Sequence, residues 1–244
     1  HENPVFKRQS GDLFPATPLA GHWSRWQNAE SHSNESPSDK QVTSMASRFR
    51  IKQISPSEER FQYRSPMKFG GRVVEDVVVY HVDCWLENDS GQTVQGHGSM
   101  TMGNIWAWPT QDLPADQTLK ILVELANRIN RAAENLDWFS HPMHLMHEFE
   151  SSYREIAKTL GEDEKISETI PHLASLVAAS PLDAAIHDAF GKSFGLNSFQ
   201  TLGPQFLPDD LSCFLDDQFA GHYLSDYVRE KPQPGLPLYH LIGA

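Results

Sequence analysis

Basic residues are scarce in this chain of 244: 20 Lys and Arg stand against 32 Asp and Glu, a formal net charge of −12. Phosphate-rich partners are held by clustered cations, so neither nucleic acid nor an anionic membrane is an expected partner. The densest basic stretch is Arg48, Arg50 and Lys52, alternating along one strand face. Such a pattern reads as a solvated face rather than an anion site. Cysteine is scarcer still: Cys84 and Cys213 are the only two, far apart in the chain, and they fit no metal-ligand spacing. Two reduced thiols in a cytoplasmic protein are the simpler reading, a single disulfide the other. No apolar run approaches the ~18 residues that span a bilayer. Residues 1–40 lack the apolar core of a signal peptide. Cytoplasmic location is the expectation, although the chain begins at His1 rather than Met and a removed leader stays open.

What is present is a globular composition, 39% hydrophobic with 21% charged residues of both signs. Residues 1–43 are polar and read as an extension; only Phe14, Trp23 and Trp26 offer it apolar anchors. Residues 46–101 read as antiparallel strands. Phe49, Ile51 and Ile54 mark the first. In the second, Val78, Tyr80, Val82, Cys84 and Leu86 alternate with Val79, His81, Asp83, Trp85 and Glu87. Asn88-Asp89-Ser90-Gly91 supplies a turn, and a third strand follows.

From Pro114 to residue 195 the period becomes helical. Leu119, Leu122, Val123, Ala126, Ile129, Ala133 and Leu136 recur at three- and four-residue steps. Ser140 and Pro142 predict a second helix start, with Gly161 as its end. Ser180-Pro181 predicts a fresh cap before Leu182, Ala185, Ile186 and Ala189. The expected architecture is α+β: a three-stranded antiparallel meander followed by a helical bundle. Residues 44–203 would form that domain and 204–244, rich in Pro and Asp, a connector.

Three stretches resemble the N-terminal capping domain of enolase-superfamily enzymes of the mandelate racemase and muconate lactonizing type. Residues 77–98, VVVYHVDCWLENDSGQTVQGHG, resemble that family's strand, turn, strand and Gly-x-Gly, with Ser90 interposed between Asp89 and Gly91. Residues 180–203 carry Asp183, Ala185, Asp188, Gly191 and Lys192 in a D-x-A-x-x-D-x-x-G-K pattern. Residues 236–244, LPLYHLIGA, resemble the segment preceding the family's first barrel strand, so residues 204–235 read as an insertion.

The resemblance implies a metal-dependent enzyme that abstracts a proton α to a carboxylate: a sugar-acid dehydratase, racemase, epimerase or cycloisomerase. Magnesium would be held by strand-end carboxylates of a barrel, and no such strand series is found in this chain. The implied partners are a small carboxylate or sugar acid, the barrel domain and further copies of the chain. No catalytic residue and no metal ligand is assigned here. Asp183 and Asp188 read as scaffold.

The implied role of the cap is substrate selection by two loops. The first, residues 63–71, offers Tyr63, Arg64, Lys68 and Phe69. The second, residues 99–109, offers Asn104, Trp106 and Trp108. His141, His144 and His147 are spaced H-x2-H-x2-H, but the third position rotates away from the first on a helix. His81 and His97 read as packed. The alternative is a stand-alone binding module of the same fold without catalysis, separable from the enzyme by the reading frame beyond Ala244.

Overall fold

The computed structural model describes residues 48–69, 71–229, 231 and 233–238. The extension expected over residues 1–43, Gly70, and the final six residues of the LPLYHLIGA stretch lie outside the described residues. Three strands make one antiparallel sheet, in the order β1 (Phe49–Phe69), β2 (Arg72–Asn88) and β3 (Thr93–Thr101). The period-two pattern of β2 sends Val78, Tyr80, Val82, Cys84 and Leu86 into the core. At the β2–β3 turn, Asn88 Oδ1 accepts the Ser90 and Gln92 amides at 3.1 and 2.9 Å. Gly91 sits there at φ 80°, a conformation that costs residues with a Cβ.

β1 is much longer than the sequence suggests. Of the loop expected over 63–71, the residues up to Phe69 are strand, apart from a bulge at 63–66 between the Gln62–Asp76 and Met67–Val74 pairs, and Gly71 is in a turn. The reason lies in β2. β3 ends at Thr101, opposite Val79. Beyond the Met102–Val78 hydrogen bond the backbone of residues 72–77 has β1 to pair with among the described strands, and unpaired strand groups are costly. The result is a two-stranded arm that continues past the sheet, with Arg60 bound to Asp76 at 2.6 Å across it.

The helices are α1 (Asn104–Ala107), α2 (Ala115–Ala133), α3 (Pro142–Glu150), α4 (Tyr153–Asp163) and α5 (His172–Ser193). They cover one face of the sheet, with α5 lying on β3 and β2 and α2 beside it. The α2 stripe buries Ile121, Leu122, Leu125, Ala126, Ile129 and Ala133. The Tyr80 hydroxyl donates to Asn127 at 2.6 Å and accepts from Asn130 at 3.0 Å. Burial pushes its pKa up to about 12. Cys84 and Cys213 are free thiols, one buried and one exposed.

Three boundaries differ from the sequence reading. Ser180-Pro181 does not start a helix; α5 runs through it. An internal proline costs about 3 kcal/mol. Ala174, Ala178, Leu182, Ala185, Ile186 and Ala189 are all buried, and that burial along the whole length outweighs it. Ser180 turns its hydroxyl back to the Leu176 carbonyl at 2.7 Å. Ser140 is not the α3 cap, because its backbone bridges Phe49 in both directions. His141 caps instead, its Nδ1 accepting the Met143 amide at 3.2 Å. α4 passes through Gly161 to Asp163, and the left-handed residue after it is Lys165.

Arg50 and Lys52 are spent locally. Both clamp Glu87, at 2.7 and 2.8 Å, and Arg50 also holds Asp137 at 2.7 Å. The early part of the expected connector is packed: Phe206 is buried with its ring 4.9 Å from that of Phe194. Short 3-10 turns follow at Leu211–Cys213, Asp217–Phe219 and Leu224–Asp226. Among the described residues no helix is long and apolar enough to cross a membrane.

Candidate functional site

The arm and the loop that follows α1 are tied together at one end of the sheet. β3 ends at Thr101, and the Met102 amide bonds to the Val78 carbonyl at 2.8 Å, turning the chain across β2. The single turn of α1 follows. Asn104 fixes that turn to the start of α2: its amide donates to the Ala115 carbonyl at 2.7 Å and to the Thr118 hydroxyl at 2.8 Å. Residues 108–113 then pass along the arm. At the arm tip, Arg72 pairs with Phe69. The Arg72 guanidinium donates to the carbonyls of Thr110 and Leu113. One side chain therefore ties the arm to the loop after α1.

The seven predicted residues divide into two groups. Tyr63, Arg64, Lys68 and Phe69 are exposed on the arm, and Trp106 is exposed on α1. Asn104 and Trp108 are buried. Asn104 is held by its bonds to α2, and Trp108 lines the small cleft beside Arg72. The cleft between Arg72 and residues 105–111 holds only about 20 Å³, room for about one water. At this end Met67 and Phe69 share one face of the arm while Lys68 and Val73 share the other, and all four are exposed.

Behind this end the helix layer is set by two glycines. At Gly96 an added Cβ would stand 2.1 Å from the Ala185 carbonyl oxygen, and at Gly98 2.1 Å from that of Pro181. The Gly-x-Gly thus brings α5 into backbone contact with β3. Asp188 completes the contact. Its carboxylate accepts the His97 amide between the two glycines at 2.9 Å and binds Lys192 at 2.6 Å. Asp183 lies on the other side of α5, 3.7 Å from His187.

The chain matches no family profile and no curated protein. Its likeness is to solved structures. A mandelate racemase/muconate lactonizing enzyme-like protein from Rubrobacter xylanophilus is similar at 14% identity, over 63% of this chain and 33% of that one, with a TM-score of 0.33. An enolase from Bradyrhizobium complexed with magnesium and mandelic acid is similar at 20% identity, over 62% of this chain and 34% of that one, TM-score 0.35. L-talarate/galactarate dehydratase from Salmonella typhimurium is similar at 12% identity, over 72% and 38%, TM-score 0.35. The chain spans about a third of the length of these structures.

The histidines of the H-x2-H-x2-H run go to different partners. His141 is buried against Phe190, ring centroids 4.7 Å apart, and burial lowers its pKa to about 3. His144 bonds Asp209 at 3.0 Å, and His147 stands edge-on to Phe214. Among the described residues no three His, Cys, Asp or Glu side chains are grouped to hold a metal ion. His81 and His97 stack on the outer sheet face, and His97 bonds Asp83 at 2.9 Å. Sequence reasoning missed Arg72. The two carbonyls it finds belong to residues 38 and 41 positions later in the chain, and no local pattern announces them.

Proposed function

We propose that this chain is the capping domain of an enolase-superfamily enzyme of the mandelate racemase and muconate lactonizing type. Its task is to select a small carboxylate or sugar acid. The observation that carries the reading is the Arg72 tie, which holds the arm and the post-β3 loop at one end of the sheet. The motif resemblance over residues 77–98 and 180–203 supports it, as does the helix-on-glycine packing that those motifs build.

Within this reading Arg64 and Lys68 receive the distal carboxylate or hydroxyls of the substrate. Tyr63, Phe69 and Trp106 cover its carbon frame and exclude water. Asn104 and Trp108 hold the post-β3 turn in position. Proton abstraction and magnesium belong to a barrel outside these residues. The side chains described here do not fit the ion, and no chemical step is assigned to them. Residues 1–43 are an extension and 204–235 an insertion ahead of the barrel.

The test is α-proton exchange in deuterated water, followed by NMR. The polypeptide encoded by the whole reading frame is supplied with magnesium and a panel of sugar acids and 2-hydroxy acids. Exchange on at least one acid is expected. Arg64→Ala and Trp106→Ala should change the ranking of substrates by about tenfold in kcat/KM, as loss of one charged or aromatic contact does. A reading frame that ends at Ala244, or variants that leave the ranking unchanged, would overturn the proposal.

A further inference from the structure

A second concave surface lies away from the arm, on the side of α5 that carries Asp183. It is a groove of about 740 Å³ between α3, α4, α5 and the 3-10 turns after residue 198. That size falls in the range of small-molecule sites. Its walls are mostly apolar: Tyr153, Leu176, Phe199 and Phe214 contribute to them. Phe199 is 63% exposed and Leu176 38%. Large side chains left open in a concavity mark a binding surface more than a packing error.

The charge in the groove has one sign. Glu150 and Asp183 are in its lining, and no Lys or Arg is among the described residues that line it. Both carboxylates act on the Tyr153 hydroxyl, whose pKa is raised by burial first and then by Asp183 and Glu150. They therefore flank the same wall. Glu150 has His172 at 3.2 Å. Among the described residues the ion-pair partner of Asp183 is His187, at 3.7 Å. Burial lowers the His187 pKa, with Asp183 opposing. The Asp183 side chain is half exposed to the groove.

We infer that this groove binds a small organic cation, an amine with an aromatic or aliphatic body. The ammonium would sit against Asp183 and Glu150, and the body would lie on Leu176, Phe199 and Phe214, the two ring faces also attracting a cation. The complementarity is specific: an apolar cradle with only negative charge accepts an amine, disfavours a carboxylate and gains nothing extra from a neutral alcohol. Phe214 and Leu224 come from the segment read as an insertion, and they close one side of the groove. The inference stands apart from the proposed cap function, since none of these groups lies on the arm or on α1.

The test is calorimetric titration of the full chain with three matched probes: naphthylmethylamine, naphthylmethanol and naphthylacetate. The amine should bind roughly tenfold more tightly than the alcohol, and the acetate should bind weakest. Asp183→Asn should remove the preference for amine over alcohol, and Phe199→Ala should weaken all probes. Glu150→Gln, on an exposed side chain, serves as a second charge variant if Asp183→Asn lowers the thermal midpoint. Equal binding of the three probes, or amine binding untouched by the charge variants, would overturn the inference. So would a dimer in sedimentation that Phe199→Ala dissolves, which gives the groove to a second copy.

Discussion

Replacing Gly98 by alanine tests the contact on which the helix layer rests. The added methyl would lie 2.1 Å from the Pro181 carbonyl oxygen and 2.6 Å from the Ala185 amide nitrogen. Both are backbone atoms of α5, so no rotamer change relieves the overlap. Van der Waals contact requires the helix to move back by roughly 1 Å. α5 cannot do so alone, because Ile186 and Phe190 on the same helix are fully buried. Overpacking a core typically costs 1–3 kcal/mol, and a backbone clash belongs at the upper end, at about 3 kcal/mol or more. For a domain of this size each kcal/mol lowers Tm by about 2–4 °C, so a loss of about 6–12 °C is expected. Gly103→Ala is the control, since an added Cβ there meets nothing closer than 4.0 Å. Urea and thermal unfolding followed by circular dichroism read both variants. A Gly98→Ala protein within about 1 kcal/mol of the parent would refute the claim that the Gly-x-Gly serves close helix approach.

Arg72→Ala should free the arm tip without unfolding the domain. Amide hydrogen exchange is expected to accelerate over residues 67–76 and 105–113 and to stay unchanged in α5; uniform exchange would show that the tie carries nothing. Trp108→Ala should cost about 3–5 kcal/mol as a buried aromatic truncation, and Trp106→Ala under about 1 kcal/mol, measured by urea unfolding. Similar losses at both positions would contradict their different burial. His141 gives a pH dependence. Its folded pKa, about 3, lies below its ordinary value near 6.5, so between those values the unfolded chain binds the extra proton. Its share of stability is full above pH 6.5 and falls toward pH 3, by at most about 1.4 kcal/mol per pH unit. His141→Asn, which keeps a capping acceptor, should flatten that slope in urea midpoints; an unchanged slope would remove His141 as its source.

The amino-acid order alone determined the class of the fold. The alternation through β2, the Asn88–Gly91 turn and the three- and four-residue stripe of α2 are local patterns, and each became the element it predicts. Local signals failed where a distant partner decided. Ser180-Pro181 reads as a helix start on any short window, but α5 continues because its buried face runs from Ala174 to Phe190 on both sides of the proline. Ser140 reads as a cap, yet its backbone pairs with Phe49, 91 positions earlier in the chain. Residues 63–71 read as a loop, because nothing in their own composition says that β2 lacks a second neighbour there.

The same division runs through the site. Tyr63, Arg64, Lys68, Phe69 and Trp106 were legible as chemistry-bearing groups in irregular, aromatic-rich sequence, and they are exposed. That Asn104 and Trp108 turn inward could be decided only by α2 and the core, which supply the partners of one and the enclosure of the other. Arg72 and the Asp183 groove had no signature at all. The first joins residues 38 positions apart and the second gathers α3, α5 and the turns after them, and a chain read one window at a time contains no record of either meeting.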